Sequence, residues 1–184
     1  MSRRDEVADA AIEVLGRRGL RGLTHRAVDA AAGVPDGTTS NHFRSRATLI
    51  RGALDRMVQA DLGFWEVLAA AGALPSTPDE VALATAEYVR ECVGPGRVRS
   101  VARLNLFAEA AVDGELAAPL RAARQTIEEA GKRIGAAAGF ETEAVLALMD
   151  LTDALIIRTL AMRPDGLDPL PALRRAARAL AGEV

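Results

Sequence analysis

The length, composition and charge of the chain limit the kinds of protein it can be. Its 184 residues are 49% hydrophobic, 26% charged and only 3% aromatic, which is the balance of a globular protein with an aliphatic core. The single cysteine, Cys92, excludes a disulfide within the chain and fits a reducing cytoplasm. We expect no signal peptide and no membrane span, because the start is charged and charges interrupt the most apolar stretch, residues 145–162.

Charge is distributed unevenly along the chain. The net charge is −2 overall, but residues 1–60 carry ten arginines and seven acidic residues, a net charge of +3. The remaining residues carry thirteen basic and eighteen acidic side chains, a net charge of −5. A basic N-terminal part in an otherwise acidic chain points to an anionic partner for that part, such as nucleic acid.

The first predicted elements are an amphipathic helix and a pair of short helices. Apolar residues at helical spacing predict the first helix over residues 3–18, and Gly19 ends it. In residues 24–43, Thr24 is expected to cap a second helix, Gly33 to end it, and Pro35 to open a third. The third helix carries short polar side chains. This is the pattern of a helix-turn-helix, whose second helix enters the major groove of DNA; the alternative is a purely structural helical hairpin.

The rest of the chain predicts helices separated by turns. A long helix is expected to run from residue 46 to about residue 71, long enough to join two domains. Glycine and proline then mark chain breaks, among them Asp113-Gly114 and Pro164-Asp165-Gly166. The predicted helices between these breaks span residues 78–93, 97–112, 115–138, 142–162 and 171–181. The sequence therefore predicts an all-α protein of about nine helices.

This order of parts resembles the TetR family of transcriptional regulators. The resemblance rests on A-A-I-E-V-L-G-R-R-G-L at residues 10–20, on Leu23-Thr24, and on A-A-G-V-P-D-G-T-T-S-N-H-F-R-S-R-A-T-L-I at residues 31–50. It implies a helix-turn-helix DNA-binding domain at residues 1–46 and a helical effector-binding and dimerisation domain at residues 47–184. The implied function is a cytoplasmic repressor that a small molecule releases from a palindromic operator. The alternative is a helical enzyme or small-molecule carrier.

The resemblance also implies contacts with the DNA backbone. Arg46 takes the place of the family's usual lysine at the start of the fourth helix and is expected to hold a phosphate. Further contacts are expected from Thr24, His25 and Arg26, near a phosphate or a base edge, and from Thr38 and His42, on the backbone.

The third helix carries the predicted base readout. Asparagine can pair with adenine, and a threonine methyl group can meet that of thymine. Asp36 has two interpretations, since it favours a helix N-terminus electrostatically and can also accept a hydrogen bond from a cytosine amine. Ser40 stands where the family usually has tyrosine, and Thr39 where it often has an apolar residue. The predicted readers are Thr38, Thr39 and Asn41, with Gly37 letting the backbone approach closely.

Residues for an effector site are less clearly marked. Asp150 and Asp153 lie three residues apart on one predicted helix. We expect them to line a ligand cavity or an interface, and the alternative is a pair of carboxylates for acid–base chemistry. Trp65, Tyr88 and Phe107 can stack on a ligand or pack in the core. We predict no metal site, no cofactor and no enzyme activity, because both histidines lie in the helix-turn-helix, far from the cysteine.

The two C-terminal helices predict a homodimer. One helix-turn-helix covers only a few base pairs, so two copies are needed to read a palindromic operator. The helix over residues 142–162 is too apolar to be left in water. The residues predicted to form the interface are Leu146, Met149, Ile156 and Leu160 on the first helix and Leu173, Ala176, Ala177 and Leu180 on the second.

Overall fold

The computed structural model describes residues 2–112, 114–162 and 168–182. These residues form nine α-helices, one short 3-10 helix and no strand, which confirms the predicted all-α fold. The predicted breaks at Asp113 and at Pro164-Asp165-Gly166 lie outside the described residues. The helices are α1 (Arg3–Gly22), α2 (His25–Ala32), α3 (Thr38–His42), α4 (Arg46–Ala70), α5 (Pro78–Val93), α6 (Arg97–Ala110), α7 (Ala117–Ala137), α8 (Thr142–Met162) and α9 (Leu170–Leu180). In this part of the chain, no helix combines the length and apolar character needed to cross a bilayer.

Local signals set most helix ends as predicted. Thr24 caps α2 by accepting a 3.1 Å hydrogen bond from the Ala27 amide, and Gly33 ends α2 in the left-handed conformation. Gly19, with φ 66°, interrupts α1. The prediction that Pro35 opens α3 is wrong. Residues 35–38 form a turn closed by a bond from the Thr38 amide to the Pro35 carbonyl, and Gly37 at φ 90° separates this turn from the helix.

The described residues belong to two compact units. The first comprises Met1–Ala60 and Val98–Arg124, and the second comprises Asp61–Arg97 and Gln125–Val184. The division of function at residue 46 stays a prediction, because compactness alone does not assign a role to either unit.

The first unit is built around the apolar face of α1. Buried residues of α1 form one cluster with side chains of α2, α4, α6 and α7, among them Val28, Leu49, Met57 and Leu106. Phe43 is also buried in this cluster, and its ring has the Arg4 guanidinium over one face at 4.9 Å from the centroid. The end of α3 is therefore fixed to the core of the unit.

In the second unit, α5 packs against both α8 and α9. Arg178 on α9 and Asp79 at the start of α5 form a two-bond ion pair with distances of 3.0 and 2.7 Å. Two glycines of α7 face α8 closely, since a β-carbon on Gly135 would lie 2.3 Å from the Val145 side chain. This packing uses part of the apolar surface that the sequence had suggested for a dimer.

Four of the eight predicted interface residues are buried within the chain. Ile156 and Leu160 on α8, and Leu173 and Ala177 on α9, are all at most 9% exposed. These four side chains therefore have partners within the chain, because α8 and α9 pack against each other and against α5. Of the other four, Leu180 is 39% exposed, and Leu146, Met149 and Ala176 are half-buried.

Candidate functional site: the helix-turn-helix and an aromatic cluster

The five-residue helix α3 has one face turned to solvent and one turned to the protein. Ser40, Asn41 and His42 are exposed, as are Asp36 and Gly37 just before the helix. These are five of the eleven residues predicted to contact DNA. A short helix with a polar outer face, attached to the protein by its inner face, has the geometry needed to enter a DNA groove.

The inner face of α3 is held by a buried aspartate on α2. Asp29 Oδ1 accepts hydrogen bonds from the Thr39 amide at 2.7 Å and the Thr39 hydroxyl at 2.5 Å, and Oδ2 accepts one from the Gly37 amide at 2.8 Å. Burial alone raises the pKa of the Asp29 carboxyl, but these hydrogen bonds favour its charged form more strongly, so the pKa lies below the usual range. The bonds thus stabilise the fold above the ordinary carboxyl pKa, and this stability is lost as pH falls through the lowered value.

This network corrects the predicted role of Thr39. Its side chain is 0% exposed and its hydroxyl donates to Asp29, so it presents nothing to a base. We therefore remove Thr39 from the predicted operator contacts. Asp29 had not been singled out in the sequence. The available signal was the hydroxyl of Thr39 at a position where the resembled family often has an apolar side chain.

The hydroxyl groups on the outer side of the motif are oriented by backbone carbonyls. The Thr38 hydroxyl donates to the Pro35 carbonyl at 2.6 Å, and the Ser40 hydroxyl donates to the Gly37 carbonyl at 2.8 Å. Each hydroxyl oxygen is therefore left mainly as a hydrogen-bond acceptor, because its own hydrogen is already used. Thr38 is half-buried, whereas Ser40 is exposed.

The start of α2 combines structural and exposed groups. Thr24 is exposed although its oxygen caps the helix, and Arg26 is exposed one residue into the first turn. His25 is half-buried, and its Nε2 donates a 2.6 Å hydrogen bond to the Phe43 carbonyl. His25 therefore links the start of α2 to the end of α3, a role that the sequence had not suggested.

Arg46 begins α4 and also has a structural bond. Its guanidinium donates to the carbonyl of Leu20, in the last turn of α1 after the interruption at Gly19. A guanidinium has five N–H groups, so this bond leaves others for a phosphate. The residue as a whole is exposed.

Three aromatic side chains meet in the second unit. The ring centroids of Phe64 and Trp65 on α4 and Tyr88 on α5 lie 5.2 to 6.0 Å apart; we call these three residues the aromatic cluster. Sequence reasoning had named Trp65 and Tyr88 but missed Phe64. The available signal was an aromatic side chain directly beside Trp65 in the predicted long helix.

The other predicted ligand residues lie apart in sequence from this cluster. Phe107 belongs to the first unit and is 43% exposed. Asp150 on α8 is exposed, and Asp153 is half-buried. Within residues 2–112, 114–162 and 168–182, no three His, Cys, Asp or Glu side chains are grouped so as to hold a metal ion.

Two family models match the chain, one over its N-terminal part and one over most of the remainder. Residues 7–53 match the model described as bacterial regulatory proteins of the tetR family, and residues 76–183 match the tetracyclin repressor-like C-terminal domain. The second match alone covers more than half of the chain. No curated protein resembles the chain closely enough to count as a match.

Solved structures with the same fold include several regulators. A TetR-family member from Streptomyces coelicolor A3 is 29% identical with a TM-score of 0.74, and 98% of each chain is covered. The multidrug binding protein EbrR in complex with imidazole is 30% identical with a TM-score of 0.70, covering 98% of this chain and 95% of that one.

A putative TetR-family regulator from Rhodococcus sp. has a TM-score of 0.82 over 97% of this chain and 98% of its own, but at 21% identity it shows the fold alone. The matched sequence models cover both the helix-turn-helix and the C-terminal helices, including α8 and α9. This chain belongs to the TetR family of ligand-responsive, DNA-binding transcriptional regulators.

Proposed function

We propose that the protein is a homodimeric repressor that acts in the cytoplasm, binds a palindromic operator, and leaves it when a small molecule binds. The observation that carries the operator part is the outer face of α3, where Asp36, Gly37, Ser40, Asn41 and His42 are all exposed beside a fixed inner face. The proposed base readers are Thr38 and Asn41, with Asp36 as a further candidate. Thr24, Arg26, His42 and Arg46 are the proposed backbone contacts.

A selection from random DNA tests the operator proposal. Purified protein is incubated with a pool of random duplexes, and bound sequences are recovered and sequenced over several rounds. We expect enrichment of an inverted repeat whose half-sites are centred about one helical turn, or a multiple of it, apart. Enrichment of a single half-site without a repeat, or of nothing, would contradict the proposed mode of binding.

Replacing Arg46 should weaken DNA binding without changing its sequence preference. Arg46→Ala removes a phosphate contact, so we expect weaker binding to every sequence and a salt dependence whose logarithmic slope falls by about one. Fluorescence anisotropy at several salt concentrations measures both quantities. Arg46→Lys is the control, because it keeps the charge for a phosphate while changing the bond to the Leu20 carbonyl. A changed order of preferred operators would mean that Arg46 reads bases.

We propose that the effector is an aromatic cation that packs against the aromatic cluster. Aromatic faces attract cations and flat rings, and the cluster provides three such faces in one place. The structural relative EbrR has been solved in complex with proflavin, ethidium and malachite green, which are aromatic cations, at 28 to 29% identity with this chain. Asp61 supports the proposal by placing a buried acidic group one turn from Phe64 and Trp65.

Trp65 gives a direct test, because it is the only tryptophan in the chain. We expect malachite green to quench the fluorescence of Trp65, and Trp65→Ala to weaken dye binding about tenfold while leaving operator affinity without dye unchanged. Dye binding is measured on the protein without DNA by equilibrium dialysis, since flat dyes also bind DNA. Phe107→Ala is the control, an exposed aromatic in the other unit. Equal losses for both variants would remove the aromatic cluster from the effector site.

For the dimer, we propose the exposed side of α8 rather than its buried side. This side carries five exposed residues at alternating spacings of three and four, which are Ala147, Asp150, Ala154, Ile157 and Ala161. Such a stripe lies along one face of a helix, and its three alanines permit close approach of a second helix. Ile157 is 44% exposed, and with Leu180 of α9 it supplies the apolar area. A two-fold axis would then pair α8 and α9 with their copies.

A further inference from the structure

We infer that Asp29 is a positioning residue for DNA recognition, which sets the orientation of α3 from its buried place on α2. The inference rests on the DNA-binding function and adds a residue that never touches DNA. Three hydrogen bonds run from α3 and its N-terminal residue to one carboxylate, which is 1% exposed.

The recognition helix needs such an anchor because it is short. With five residues, α3 has few internal hydrogen bonds, and short helices are marginal without tertiary support. Its N-cap residue is Gly37, which has no side chain to satisfy the first amides of the helix. Asp29 accepts these hydrogen bonds from its place on another helix. The same hydrogen bonds therefore cap α3 and fix its angle to α2.

The carboxylate also fixes which side of α3 faces outward. Thr39 is bound through both its amide and its hydroxyl, which leaves Ser40 and Asn41 as the next residues round the helix, both exposed. A rotation of α3 that turned Thr39 towards DNA would break the two bonds to Oδ1 and leave a buried charge poorly paired. Since the amides of Gly37 and Thr39 are occupied, α3 offers DNA its side chains rather than these donors.

A positioning role differs from a purely structural one in its prediction that operator affinity falls while the protein remains folded. Asp29→Asn keeps the size of the side chain, but its amide nitrogen would face the backbone N–H of Gly37 or of Thr39, and neither group can accept its hydrogens. We expect affinity for the selected operator to fall about tenfold to a hundredfold. Thr39→Val removes only the hydroxyl and keeps the shape, and should weaken binding about threefold to tenfold.

Asp29 and Thr39 are also replaced together in one variant. In the double variant Asp29→Ala with Thr39→Val, no charge and no hydroxyl remain buried, so the loss should be smaller than the sum of the losses measured for Asp29→Ala alone and Thr39→Val alone. Asp55→Asn, an exposed aspartate on α4, is the charge-matched control and should stay within about twofold of the unaltered protein.

Fluorescence anisotropy gives the operator affinity, circular dichroism the folded fraction, and Trp65 fluorescence the binding of malachite green. Lower operator affinity with the helical signal and dye binding intact supports the positioning role. Unchanged operator affinity in folded Asp29→Asn overturns it, and if that variant does not fold, unchanged affinity in Thr39→Val overturns it. Unaltered protein that selects no operator would instead refute the proposed function, so the two failures are distinct.

Discussion

The double variant Ala154→Glu with Ile157→Glu should be a monomer that has lost specific operator binding. The two positions are consecutive members of the exposed stripe on α8, and in a two-fold dimer each new carboxylate would lie near its own copies. Burying four like charges in one interface costs far more than a small apolar contact returns. Sedimentation at about 10 µM protein measures the outcome, because this concentration is well above the dissociation constant of a specific dimer.

Loss of the dimer should then appear as loss of operator affinity. A single helix-turn-helix reads only half of a palindrome, and the linked second half contributes through its high effective concentration. We therefore expect operator affinity to fall by at least about a hundredfold. Binding of malachite green to the aromatic cluster should persist if each protomer carries a whole effector site.

Leu83→Glu is the matched control for this experiment. Leu83 on α5 is 44% exposed, the same fraction as Ile157, and the substitution makes the same change as Ile157→Glu, from an aliphatic side chain to glutamate. This variant should remain a dimer with unchanged operator affinity. If Leu83→Glu is monomeric and the α8 variant is not, the dimer uses α5, and the proposed face is wrong.

Helix α8 also illustrates what periodicity in a sequence can and cannot predict. The existence and ends of α8 followed from its composition and flanking residues, and the structure confirms them. Its burial did not follow, because a helix that is apolar on most sides gives no sign of which side meets its own chain. Ile156 and Ile157 are neighbours in sequence, yet the first is 6% and the second 44% exposed. The positions of the helices that pack against α8, among them α5 and α9, decide between them.

The helix-turn-helix was more predictable because its signals are local. The cap at Thr24 and the left-handed Gly33 depend on residues within one turn, and both are present. The start of α3 was misplaced because Pro35 also suits a turn, and the left-handed Gly37 delays the helix. The bond between Asp29 and Thr39 joins residues ten apart across that turn, so no local rule pointed to it.

The aromatic cluster was less predictable from the sequence than the helix-turn-helix and more predictable than the burial of α8. Phe64 and Trp65 are adjacent on α4, but their meeting with Tyr88 depends on how α4 and α5 pack. The sequence indicates residue types that suit a ligand, whereas the packing of the helices brings Trp65 and Tyr88 together with Phe64. Phe107 carries the same chemistry and belongs to the other unit.

The second large effect should come from Gly16→Ala in the first unit. A β-carbon on Gly16 would lie 2.4 Å from the backbone carbonyl oxygen of Val98, at the start of α6. Backbone cannot rotate away as a side chain can, so α1 and α6 must separate. Separation would strain the 2.8 Å hydrogen bond from the Asn105 side chain to the Leu15 carbonyl. We expect the free energy of unfolding to fall by about 2 kcal/mol, after allowing for the better helix propensity of alanine.

The same substitution at Gly63 should change the free energy of unfolding in the opposite direction. Gly63 lies inside α4, and a β-carbon built there meets no atom within 4 Å. Gly63→Ala should therefore raise the free energy of unfolding by about 0.5 to 1 kcal/mol, since alanine loses less backbone entropy in a helix. Urea denaturation followed by circular dichroism compares both variants with the unaltered protein. If Gly16→Ala is also stabilising, the close contact between α1 and α6 does not exist in solution, because a β-carbon cannot lie only 2.4 Å from a carbonyl oxygen.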